Sequence, residues 1–116
     1  MKPQSAKNKG RLLQKWIVKK LLESFPSLSE KDVLSTSMGA PGEDIKLSEA
    51  AFKLFPFYVE AKSRASLAIY SFYEQSKTKD EVLVIVKANN KKPLAIIDAE
   101  TFIRIIKELH ANHKDH

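Results

Sequence analysis

Apolar residues fall at helical spacing at both ends of this chain and in short β-type runs between them. That change of period constrains the fold more than any other feature. Leu13, Ile17, Leu21 and Phe25 recur at every fourth position with Trp16 alongside, which makes one side of a helix from about Gly10 to Phe25 apolar. Arg11, Lys15 and Lys19 line its outer side, and Pro26 helps to end it. Near the other end, Phe102, Ile103, Ile106 and Leu109 form the apolar side of a helix that Asp98 caps.

The segments between these helices are shorter. Val33–Ser37 reads as a first strand, and Met38-Gly39-Ala40-Pro41-Gly42 as a loop, because Gly and Pro interrupt both regular periods. Asp44–Leu47 alternates, with Ile45 and Leu47 inward and Asp44 and Lys46 outward, as a short second strand does. Ser48 caps a brief helix through about Leu54, with Glu49 in its first turn. Phe57–Ser63 is a third strand and Ala65–Lys77 a second main helix. Val82–Val86 is continuously apolar, as expected of a strand buried on both faces, and Leu94–Ile97 follows it across the polar connection Ala88–Lys92. The reading is an α/β chain with a central mixed β-sheet flanked by helices, in the order α-β-β-β-α-β-β-α.

At 116 residues this is one domain, here placed at 10–110 between a flexible basic arm (1–9) and a flexible tail (111–116). The hydrophobic fraction of 43% argues against disorder. With no cysteine there are no disulfides and no thiolate metal sites, which suits a reducing cytoplasm, and no apolar run approaches the roughly 20 residues that span a bilayer. The N-terminus lacks an apolar stretch behind its positive charges, so a signal peptide is not expected. A net charge of +6 fits a polyanionic partner, and its distribution says more than its size. Residues 1–20 carry seven bases (Lys2, Lys7, Lys9, Arg11, Lys15, Lys19, Lys20), and the first carboxylate is Glu23. Lys7, Lys9, Arg11 and Lys15 are therefore candidate contacts to a nucleic-acid backbone, against the alternative of a solvated helix face.

The residues with most chemistry are Asp44 and, after 15 intervening residues, Glu60-Ala61-Lys62. On a strand, Glu60 and Lys62 lie two apart and share a face. A carboxylate and an ammonium on one face, with a second carboxylate on the neighbouring strand, form an oxygen-ligand pocket for Mg²⁺ with a lysine beside it. Such a pocket suits phosphodiester hydrolysis. Taken alone, an acid two positions before a lysine is common on any exposed strand.

These residues also carry a family resemblance. A first helix, a strand-loop with Gly42-Glu43-Asp44, then Val59-Glu60-Ala61-Lys62 and a helix bearing Gln75 resemble the PD-(D/E)xK nuclease superfamily. Within it, the chain resembles small phage-encoded nucleases and the archaeal-type Holliday junction resolvases. Gly10–Trp16, Ser35–Gly39, Gly42–Ala50 and Leu54–Phe57 carry the likeness to the phage group, which extends over roughly residues 7–105. The resemblance implies a restriction-endonuclease-like core and a homodimer that cuts branched DNA in the cytoplasm of a bacterial or phage-infected cell. It implies Mg²⁺ or Mn²⁺ held by Asp44, Glu60 and the carbonyl of Ala61, with Lys62 stabilising the transition state and Gln75 supporting the site. Ser37 would contact DNA from the loop, although a polar strand end reads equally well there.

The chain departs from the pattern in two places. Where the resolvases have a glutamate four residues after an N-terminal glycine, this chain has Gln14, which would support a metal site without adding charge. The order Glu60-Ala61-Lys62-Ser63 replaces the Glu-Cys-Lys-Asn of the phage group. Rival readings are a nicking or single-strand-specific nuclease of the same fold and a non-catalytic DNA-binding module. Tyr58, Tyr70, Phe72 and Tyr73 are candidates to stack on unpaired bases, against the alternative of core positions, and Phe72 is expected in the core. His110, His113 and His116 recur every third residue, but no carboxylate completes a known metal pattern with them.

Overall fold

The computed structural model describes residues 3–36, 43–75 and 82–113, and it is a mixed α/β structure with four helices and two small antiparallel sheets. Helix α1 (Pro3–Ser24) starts seven residues before the Gly10 expected from apolar spacing. The polar residues ahead of Gly10 thus continue the helix. It ends where Phe25 N–H bonds Leu21 C=O at 2.9 Å and Pro26 follows.

Strands β1 (Val33–Ser35) and β2 (Ile45–Leu47) pair antiparallel, with Val33 opposite Leu47 and Ser35 opposite Ile45. The alternation in β2 is as expected, Ile45 being buried and Lys46 exposed. Helix α2 (Glu49–Leu54) carries its cap: the Ser48 oxygen accepts from Ala51 N–H at 3.1 Å while its hydroxyl donates to Asp32 Oδ1 at 2.7 Å. The Ser29 amide and then the Ser48 hydroxyl hold the Asp32 carboxyl below its ordinary pKa. Ser48→Ala is expected to cost about 1 kcal/mol in a denaturant titration, the usual loss for a removed N-cap. Part of that loss should vanish as pH falls and Asp32 is protonated, because a lowered carboxyl stabilises the fold only while it is ionised.

Helix α3 is Ile69–Gln75, strands β3 (Leu83–Val86) and β4 (Leu94–Ile97) form a second antiparallel pair, and helix α4 is Ala99–His113. Asp98 caps α4 as expected, its Oδ2 accepting from Thr101 N–H at 2.9 Å.

The core is built from Leu21, Phe25, Val33, Ile45, Ala51, Phe55 and Ile103. These come from α1, β1, β2, α2, α4 and their connections, and α3, β3 and β4 contribute none. Aromatic rings close one end of it. Phe55 meets Phe25, Phe57 and Phe102 at ring-centroid distances of 6.3, 4.9 and 5.9 Å. His110 stands edge-on to Phe25, so it packs against the core rim.

Three expectations change. Residues 57–63 form no regular strand; Val59 alone bridges Ile45, antiparallel. The central sheet expected from the sequence is accordingly represented by two separate two-stranded pairs. The strand expected at Val82–Val86 is not buried on both faces: Leu83 and Ile85 are 58% and 60% exposed. A two-stranded hairpin with α3 against it leaves its alternate side chains uncovered. Phe72 is half exposed instead of being in the core, because α3 buries none of its residues. The Cα radius of gyration, 16.0 Å, exceeds the roughly 13 Å of a compact chain of this length, in keeping with a hairpin that lies outside the main core.

Candidate functional site

Asp44 is held from three sides. The Thr36 N–H donates to its carbonyl at 2.9 Å, and the Thr36 hydroxyl lies 3.2 Å from the same oxygen and 3.2 Å from the Glu43 carbonyl. On the other side, the amides of Asp44 and Ile45 both donate to Val59 C=O, at 3.2 and 3.3 Å. These bonds continue the β1–β2 ladder by one residue and attach the 57–63 segment to it. They also bring Glu60 and Ala61 beside Asp44, whose Oδ2 accepts from Ala61 N–H at 2.6 Å. That short, charge-assisted bond fixes the orientation of the carboxylate.

Glu60 is exposed, and its carboxyl neighbours that of Asp44. A hydrogen bond that the protonated Glu60 carboxyl can donate to Asp44, then the charge of Asp44, and to a lesser degree desolvation push the Glu60 pKa above the ordinary 4.5. The positive charge of Lys62 pulls the other way, and Glu43 adds a further upward push. Two neighbouring carboxylates are also a place for a cation. Mg²⁺ is commonly held by one or two carboxylates and several waters, so the donor set fits a hard divalent ion. Among the described residues no three His, Asp, Glu or Cys side chains converge as a ready-made metal cluster. Any cation here would draw its other ligands from water or backbone oxygen.

A pH dependence follows. Folding binds the Glu60 proton more tightly, so this group contributes stability at low pH and loses it as pH rises through the raised folded pKa. Glu60→Gln should flatten that part of the stability profile, read from melting temperatures between about pH 4 and pH 7, and a divalent ion should raise the wild-type melting temperature more at the upper end.

The other sequence candidates are placed as follows. Gln75 lies at the end of α3, exposed, lining a groove beside the β3–β4 hairpin; among the described residues no hydrogen bond joins it to Asp44, Glu60 or Lys62. Gln14 is 4% exposed on α1, the buried polar residue of the described core, and no buried side-chain polar atom there lacks a partner. Arg11 and Lys15 are exposed on α1, with Lys19 on the same side. Lys9 is half buried on α1, Lys7 lies within the helix, and Ser37 falls outside the described residues. Ala61 is recorded at the site through its N–H. Sequence reasoning missed Thr36 and the charge of Glu43. Thr36 was legible only as part of a hydroxyl-rich strand end, and Glu43 as the acid preceding Asp44.

No family model, curated protein or solved structure matches this chain. Among the described residues no helix is long and apolar enough to cross a membrane.

Proposed function

We propose that the protein is a metal-dependent endodeoxyribonuclease of the PD-(D/E)xK type, acting on branched DNA such as a four-way junction. The observation that supports this most is that the Val59 bridge and the Ala61 N–H bond to Asp44 Oδ2 bring the Glu60-Ala61-Lys62 segment against Asp44. In this reading the Ile45–Val59 bridge is what attaches residues 57–63 to the β1–β2 pair. Asp44 and Glu60 hold Mg²⁺ or Mn²⁺, and the Ala61 amide keeps Asp44 in place. The bound ion supplies Lewis-acid stabilisation and a more acidic water. Lys62 stabilises charge developing on the phosphate oxygens. The exposed bases Arg11 and Lys15 neutralise neighbouring phosphates. Symmetric cutting of two strands would need a homodimer with C2 symmetry.

One gel tests the reading: four-way junction, duplex and single-stranded DNA, each with Mg²⁺ and with EDTA. Junction products with Mg²⁺ that EDTA abolishes support it. Cleavage of duplex or single strands alone would redirect it to a nicking or single-strand nuclease. Binding without cleavage in Mg²⁺ or Mn²⁺ would leave a non-catalytic DNA-binding module.

A further inference from the structure

The β3–β4 hairpin has features that neither the core nor the Asp44–Glu60 pair uses. Its strands pair from Leu83 opposite Ile97 at the base to Val86 opposite Leu94 near the tip. The tip turns at Asn89-Asn90, where Lys91 N–H bonds Ala88 C=O at 3.2 Å and Asn90 takes φ 62°. Asparagine accepts that left-handed backbone better than other non-glycine residues do. The turn gathers Lys87, Lys91 and Lys92, all exposed, at one end, while Asp98 follows the last base-end residue at the other. From Val82 to Ile97 there is no acid at all.

Between this hairpin and α3 runs a groove of about 770 Å³, lined by Phe72, Gln75, Ile85, Lys87, Lys91 and Lys92 among others. That volume is within the range of sites that enclose small organic ligands. Among the described residues its lining includes no carboxylate. An exposed aromatic face beside ammonium groups, with amide and aliphatic walls, is the combination that binds an unpaired nucleotide strand: bases stack and phosphates pair with lysine.

We infer that the groove between α3 and the β3–β4 hairpin binds a single-stranded segment of DNA, with Lys87, Lys91 and Lys92 on phosphates and Phe72 stacking on a base. The inference rests on the nucleic-acid part of the function proposed above and is independent of catalysis. Lys87 Nζ also lies 3.3 Å from the Ala88 carbonyl. A branch point or frayed end would supply the unpaired strand, and the groove would give the enzyme a preference for such structures over plain duplex.

The test is fluorescence anisotropy with a labelled oligonucleotide, single-stranded or duplex, in EDTA and across a salt series. Replacing Lys87, Lys91 and Lys92 with alanine should weaken single-strand binding at least about 10-fold at low salt and reduce the log–log salt slope by about 2, at roughly 0.7 per phosphate contact. Phe72→Ala should weaken single-strand binding by roughly 10-fold with the slope unchanged, and duplex binding far less. Replacing Lys7, Lys9, Arg11 and Lys15 together is the comparison: it should lower duplex and single-strand binding alike. If only this N-terminal set alters binding, the groove proposal is overturned and the wider DNA reading stands. If the wild type binds neither DNA, both fall. If it binds DNA normally but never cuts, the groove proposal survives and the catalytic reading does not. A wild-type dimer that Ile85→Lys dissociates without changing DNA affinity would assign the hairpin to a second copy and overturn the proposal.

Discussion

Glu60→Gln is expected to lower junction cleavage by at least about 100-fold while leaving the protein folded, and Lys62→Ala to do the same, in line with the usual loss when one group stabilising transition-state charge is removed. Glutamine keeps the shape of a protonated Glu60 and can donate its amide to Asp44, but it cannot carry the charge a divalent ion needs. The variant should therefore melt no lower than the wild type at neutral pH, because it removes a carboxyl that Asp44, by hydrogen bonding and by charge, makes harder to ionise. Asp44→Asn retains an oxygen for the Ala61 amide, so it too should fold and fail to cut. Single-turnover cleavage and thermal melts on the same preparations check these outcomes. Near-normal cleavage by Glu60→Gln at limiting Mg²⁺ would remove the pair from the chemistry.

The largest stability loss is expected from Phe55→Ala. Phe55 is 7% exposed and meets three other rings, so its truncation removes buried area and leaves a cavity where α2, α4 and the 56–59 segment meet. Such changes cost about 3–5 kcal/mol, which should lower the melting temperature by about 10 °C or more. Phe72→Ala offers the contrast. It removes the same chemical group from a half-exposed position outside the core and should cost about 1 kcal/mol or less. Equal losses from the two would mean that α3 and the hairpin belong to one cooperative core with the rest.

The two variants also mark where sequence reasoning succeeds. Leu21, Phe25, Ile45 and Ile103 were legible as core because each falls on a face set by local periodicity, and α1, α2 and α4 are located by that periodicity and by the caps at Ser48 and Asp98. Phe72 and Val82–Val86 were misread for a single reason. A hydrophobic run shows that a segment can be buried, whereas burial depends on what packs against it, and among the described residues α3 packs against β3 while Leu83 and Ile85 stay exposed.

The candidate site divides in the same way. The amino-acid types were fixed by the chain: an acid two positions after the Pro41-Gly42 pair, and an acid and a lysine two apart after an aromatic run. Spacing could suggest that Asp44 and Glu60 meet, but only the tertiary structure decided it. Val59 C=O accepts from the Asp44 and Ile45 amides, and that backbone bridge sets Ala61 N–H against the Asp44 carboxylate and Glu60 beside it. Local pattern follows from the side chains of one segment. Convergence depends on hydrogen bonds between segments distant in sequence, which no periodicity records, and the same holds for Gln14, whose burial on α1 comes from the elements packed over it.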